Sequence, residues 1–204
     1  FFTNAGGVSG ANRIARWDGT QWYAVGGANA INDDVYAIAV SGNDVYVGGR
    51  FTNAGGVSSA NNLARWNGAT WSAVGGANAI NGPVYAIAIS GSDVYVGGSF
   101  SDRIACWDGA QWRAVGGGTS IVNRIQAIAV NGRNVYIGGN FYLFAGTIQT
   151  RGIARWDGNQ WHAVGGANAL GGVNSPSVNA LAIDGDNLYV GGNFINAGGN
   201  PYAD

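Results

Sequence analysis

The chain contains no lysine, no glutamate and no methionine, and it has one cysteine, one histidine and three prolines. Each shortage excludes something. Lys, Glu and Met are among the residues that favour helices, so a helical protein is not expected. One cysteine, Cys106, allows no internal disulfide and leaves the redox compartment open. One histidine, His162, gives a metal centre built on several histidines no second ligand. Charge is scarce: the ten cations are all Arg, the eleven anions all Asp, and the net charge is −1. No basic run offers a grip on nucleic acid or on a membrane surface. No apolar stretch approaches the roughly 20 residues of a membrane span. No signal peptide is visible, and Phe1 in the first position points to a chain that is processed, excised or read from within a longer protein.

What is present is glycine, at 37 residues, with eight Trp and nine Tyr. Together with abundant Val and Ile this composition predicts an all-β protein and argues against disorder. The 204 residues suffice for one domain with a real core.

The organisation is repetitive. Trp17, Trp66, Trp107 and Trp156 are followed at a constant distance by Trp22, Trp71, Trp112 and Trp161. "DVYVGG" at 44–49 returns at 93–98, as "NVYIGG" at 134–139 and as "NLYVGG" at 187–192. The repeats run over 2–50, 51–99, 100–140 and 141–193, with the start of a further one at 194–204; the third is shortened between Phe100 and Trp107. Each unit holds four short apolar runs, in the first at 13–17, 21–25, 35–40 and 44–49. Asp-Gly and Ser-Gly-Asn turns join them in pairs, because Gly takes positive φ freely and Asp and Asn bond their own backbone. The unit is therefore two hairpins or one four-stranded meander. Its runs are apolar on both faces, so each sheet needs a neighbour on either side. Sheets stacked around an axis meet that need. The expected fold is an all-β propeller of four-stranded antiparallel blades, either a four-bladed ring or part of a larger propeller, with a β-solenoid as the weaker alternative.

A Tyr-containing hydrophobic pair, then Gly-Gly, then two Trp, as in "VYVGG…RWNGATW", resembles kelch-type propeller blades and the Trp/Gly-Gly repeats of secreted bacterial proteins. The resemblance implies that Gly-Gly ends the second strand of each blade. On that frame 13–26 supplies strands three and four of one blade and 178–192 strands one and two of another, two halves that would complete each other. "FTNAGG" at 2–7 and "FINAGG" at 194–199 would then duplicate a loop, as a window cut from a longer array also would. The resemblance specifies a fold and leaves function open; the copper-oxidase chemistry of some kelch-like propellers needs several histidines and is excluded.

The recurring Trp, Tyr and Gly-Gly positions read as blade packing, with a sugar-stacking platform as the sharper alternative. The long loops are the better candidates for a site, because rigid blades hold them around the axis. Asn29, Asn78 and Asn168 recur in "GGANA", and Asn53 in "NAGG". An amide that both donates and accepts suits sugar hydroxyls, and Asn equally suits turns and left-handed backbone. Asp33 and Asp34 form an acidic pair found only in the first repeat, and Arg50 opens the loop after strand two. The pair's spacing matches no calcium loop, so a solvated loop is expected there. Cys106 is expected as a strand residue rather than a nucleophile. Arg16, Arg65 and Arg155 are expected to stack or pair with a strand neighbour. The position shared by Tyr23, Ser72, Arg113 and His162 is expected to face solvent. Most Asp lies in hairpin turns, away from the loops, and no phosphate-binding glycine motif opens a helix.

These readings converge on a non-enzymatic, extracellular or cell-surface binding propeller that takes a glycan or protein partner on its long-loop face. No cofactor and no metal are implied. The alternative is a structural or assembly subunit of a larger complex, or a homo-oligomer, with no small ligand.

Overall fold

The computed structural model describes residues 1–116, 120–145, 148–166, 169–171 and 176–199. The chain divides into two compact units, Phe1–Ile87 and Ala88–Asp204.

The first unit carries strands β1 (Ala15–Trp17), β2 (Trp22–Ala24), β3 (Val35–Ser41), β4 (Asp44–Gly49), β5 (Leu63–Trp66) and β6 (Trp71–Ala73). The division falls within β7 (Val84–Ser90). The second unit continues with β8 (Asp93–Gly98), β9 (Ile104–Trp107), β10 (Trp112–Ala114), β11 (Ser120–Asn131), β12 (Asn134–Ala145), β13 (Ile148–Trp156), β14 (Trp161–Ala163), β15 (Ser177–Asp184) and β16 (Asn187–Asn193). Short 3-10 turns lie at Ala5–Gly7 and Ala197–Gly199. Among the described residues no helix is long and apolar enough to cross a membrane.

The fold is all-β and of the propeller class. Three sheets are complete four-stranded antiparallel meanders, in the orders β3-β4-β5-β6, β7-β8-β9-β10 and β11-β12-β13-β14. The remaining strands form two-stranded sheets, β1–β2 and β15–β16. The strand frame is the one the Gly-Gly pattern implies.

Register is constant. Gly48, Gly97 and Gly138 oppose Leu63, Ile104 and Ile153, and each Trp pair closes a hairpin as Trp66↔Trp71 does. In three hairpins the register slips by one residue at Tyr36, Gln126 and Asn179, a recurring β-bulge in the first strand opposite the Gly-Gly pair.

The two glycines of each pair answer to different neighbours. A Cβ on Gly48 would lie 2.5 Å from Val84 Cγ1 of the next sheet, one on Gly97 2.6 Å from Ile125 Cγ2, and one on Gly138 2.5 Å from Val178 Cγ1. Only hydrogen leaves room for these Val and Ile side chains, so the first glycine sets the spacing between neighbouring sheets. The second glycine faces the bulge. A Cβ on Gly49 would lie 2.0 Å from the Asp34 carbonyl oxygen, and one on Gly192 equally close to that of Ser177.

The core of the first unit gathers Ile14, Ile31, Val47, Phe51, Ala54, Ala64 and Trp71. Phe51, Phe100 and Phe141, each two residues beyond a Gly-Gly pair, are 0%, 3% and 2% exposed. In the third complete sheet the expected long loop after strand two is instead a two-stranded extension, pairing Tyr142↔Arg151, Leu143↔Thr150 and Phe144↔Gln149. "FYLF" and "IQT" are rich in aromatic and β-branched residues where the other repeats carry Asn, Ala and Gly, and such runs pair readily.

Candidate functional site

The short turns lie at one end of each meander and the long connections at the other. At the turn end, a carboxylate or amide at the first turn position accepts backbone N–H bonds two and three residues on. Asp157 accepts from Asn159 and Gln160 at 2.8 Å, and Asn67 from Ala69 and Thr70 at 2.9 and 2.8 Å. These bonds hold the Asp157 carboxyl well below the usual carboxylate range, with the His162 ring 2.6 Å away assisting. Asp18 is held down likewise by Gln21 and Thr20.

Beside these turns, four of the sheets place an arginine. Arg65 Nε lies 2.9 Å from Asp44, Arg155 donates to Asn134 at 3.2 Å, and Arg16 stacks 4.5 Å over Tyr23. In the sheet where Cys106 replaces that arginine, Arg113 on the adjacent strand reaches Asp93 at 3.0 Å and Asp108 at 3.2 Å. Arg113 opposes Cys106 in the ladder, so the guanidinium keeps its place while its backbone has changed strands. The Cys106 thiol, 2% exposed, is pushed up to about 11, first by burial and then by Asp93. It is therefore a packed strand residue with no thiolate character at neutral pH.

The position of Tyr23, Ser72, Arg113 and His162 departs from expectation. Only Arg113 is exposed, and each has a partner across its hairpin or turn: Arg16, the Arg65 carbonyl, Asp108 and Asp157. Four chemistries fit there because each finds a polar group on the strand or turn beside it.

At the loop end the asparagines serve the loops. Asn29 and Asn78 sit in left-handed backbone at φ 55° and 54°, and their side chains bond Asn12 and Asn61, the latter at 2.6 Å. The Asn53 side chain accepts from Gly56 N–H at 2.9 Å. Asn168 lies outside the described residues.

The first sheet brings the remaining candidates together. Arg50 Nε lies 3.5 Å from Asp33 and its Nη2 3.3 Å from Asp34. The bulged Tyr36 donates its hydroxyl to Asp34 at 3.3 Å, and its ring meets Tyr85 at 5.2 Å between centroids. Asn32, which the sequence did not single out, accepts from the backbone N–H groups of Thr52 and Asn53 at 3.0 and 3.1 Å, clipping the two loops together. Arg50, Asp33 and Asp34 keep 59%, 42% and 30% of their side-chain surface in solvent, and Tyr36 is 43% exposed. Burial raises the Tyr36 phenol above its ordinary value, with the Arg50 charge opposing. The result is an aromatic pair beside two carboxylates and a guanidinium, with Asp34 within reach of both Tyr36 and Arg50. Tyr36 and Tyr85 were legible in principle, since the corresponding residues are Gln126 and Asn179.

Among the described residues no group of three or more His, Cys, Asp or Glu is placed to hold a metal ion. The Trp positions are mixed: Trp71 and Trp161 are 7% and 3% exposed, whereas Trp17 and Trp22 are 50% and 39% exposed.

No family model and no curated protein matches the chain. Among solved structures it is similar to the computationally designed Ika4 protein, at 16% identity over 79% of this chain and 86% of that one, with a TM-score of 0.47. It is also similar to YCF48 bound to D1 peptide, at 15% identity over 89% of this chain and 56% of that one, with a TM-score of 0.49. The computationally designed Ika8 protein follows at 15% identity, 81% and 72% coverage and a TM-score of 0.31. Function is accordingly read from the site's own geometry.

Proposed function

We propose that the chain is a non-enzymatic binding scaffold with kelch-like blades, working outside the cell or at its surface, and that it takes a glycan at the loop end of its first complete sheet. The observation that carries this reading is the exposed Tyr36 ring, backed by Tyr85 and flanked by Asp34, Asp33 and Arg50. A pyranose presents an apolar C–H face and a rim of hydroxyls. An aromatic face takes the first, and carboxylates with a guanidinium bond the second, as acceptors and donors respectively. Arg50 is braced by two carboxylates, so its remaining N–H donors and the remaining oxygens of Asp33 and Asp34 are held side by side.

Glycan-array screening followed by calorimetry tests the proposal. Tyr36→Ala is expected to weaken the best binder at least tenfold, and Asp34→Asn several-fold, with unchanged far-UV circular dichroism. Failure of the wild type to bind any glycan, or binding indifferent to Tyr36→Ala, overturns it. The second reading, an assembly subunit, draws support from the loop asparagines, whose amides are engaged within and between loops rather than presented outward.

A further inference from the structure

One repeat departs from the others at the loop end, and the departure lies wholly within the unit Ala88–Asp204. β11 and β12 each run for 12 residues, where β3 and β4 run for 7 and 6. The added length, with the start of β13, makes a three-stranded extension over 120–124, 140–145 and 148–151. Its rows alternate in burial. Ile121, Leu143 and Thr150 oppose one another and are 9%, 0% and 3% exposed. The adjacent row, Val122, Tyr142 and Arg151, points to the other face together with Phe144. Val122 is 53% and Phe144 47% exposed, and Arg124 and Arg151 are exposed beside them. The first two repeats place loops at this position, so blade packing common to the repeats does not account for an apolar face here.

Charge on the face has one sign. β11, β12 and β13 contain no Asp. Among the described residues neither Arg124 nor Arg151 has a carboxylate partner, in contrast with Arg50, Arg65 and Arg113. The Arg151 guanidinium lies 5.1 Å over the Tyr142 ring, so that ring face is taken and is no platform for a pyranose. What remains is an apolar strip, Val122 and Phe144, flanked by two guanidinium groups.

We infer that this face docks an acidic segment of a partner protein, one that presents a large apolar side chain to Val122 and Phe144 and carboxylates to Arg124 and Arg151. Burial of the apolar pair supplies affinity, and the arginine–carboxylate pairs select the sign and register of the partner. The partner is another molecule. The chain's own close carboxylate pairs are Asp33 with Asp34, held by Arg50, and Asp184 with Asp186, at the opposite end of the same unit. There Asn131, at the far end of β11 from the extension, donates to the Gly185 carbonyl at 3.1 Å. The inference does not depend on the sugar reading, whose residues Tyr36, Asp33, Asp34 and Arg50 belong to the other unit.

Panning a phage-displayed library of short random peptides on the full chain tests it, with fluorescence anisotropy of the selected peptides as the readout. The selected peptides are expected to carry net negative charge and at least one Leu, Ile or Phe. Phe144→Ser is expected to weaken their binding about tenfold or more. Arg124→Gln combined with Arg151→Gln is expected to weaken it several-fold and to make it less sensitive to salt. These side chains are exposed, so far-UV circular dichroism of the variants should match the wild type, and Tyr36→Ala should leave peptide affinity unchanged. A library that yields no binder, binders with neutral or positive charge, or binding indifferent to Phe144→Ser or to the double arginine variant overturns the inference. So does a face that passes over every peptide and retains polygalacturonate, which would make it a site for acidic polysaccharide.

Discussion

Strands β3 and β11 carry nearly the same words, "VYAIAV" and "IQAIAV", and live in different surroundings. On β11, Ile125 and Ile128 are 0% and 9% exposed beneath Gly97; on β3, Ile38 and Val40 are 51% and 64% exposed. Propensity and pattern are equal in the two, so the difference lies wholly in whether another sheet covers the face. A repeat sequence encodes one interface many times, and coverage decides which copies contribute to stability.

The largest test contrasts the tryptophans. Trp161→Ala removes a 3% exposed indole that fills the space above Gly116, and a loss of about 3–5 kcal/mol is expected from urea unfolding. Trp17→Ala, at 50% exposure, is expected to cost about 1 kcal/mol, mainly its ring contact with Trp22. Equal losses would mean that the covered and open sheets do not differ in energy.

Glycine sharpens the same contrast. Gly97→Val drives a side chain into Ile125 and Ile128 and should lower stability by about 1–3 kcal/mol or more. Gly191→Val meets only Ala180 Cβ, at an ordinary contact distance of 3.8 Å, and should change unfolding by no more than about 0.5 kcal/mol.

The relocated cation offers a smaller effect. Arg113→Ser should cost about 0.2–1 kcal/mol, since its ion pairs are half in solvent. Adding Cys106→Arg restores the Arg65–Ser72 arrangement of the neighbouring repeat and should recover the loss, measured as a double-mutant cycle.

The smallest effect is with pH. Asp18, Asp108 and Asp157 are held below the ordinary value of 3.8, chiefly by backbone N–H bonds. Depressed carboxyls stabilise the fold above that value, and the stabilisation is lost as pH falls below it. Replacing all three by Asn, as the chain itself does at Asn67, should flatten the acid limb of thermal unfolding below pH about 4.

The strand frame was legible in the residues because a hairpin's turn chemistry and apolar runs are local. The observed β3 and β4, Val35–Ser41 and Asp44–Gly49, match the apolar runs at 35–40 and 44–49 almost residue for residue. The extension at Phe141–Thr150 was not legible, because its repeat position had loop counterparts elsewhere. Of the candidate site, Asp33, Asp34 and Arg50 were singled out as separate loop residues. Their convergence with Tyr36 depends on the bulge in β3 and on the pairing of β3 with β4, which no linear spacing reveals. The arginine at Arg113 was read as a surface substitution, although it restores across a hairpin what Cys106 removes.

The sequence by itself determined the β class, the four-stranded unit and its turns, because these follow from short apolar runs, positive-φ glycine and side chains bonding their own backbone. Only the tertiary structure decided which aliphatic faces are covered, what each glycine of the pairs makes room for, and which loop residues meet. Those depend on contacts between strands far apart in the chain, where identical words acquire different neighbours.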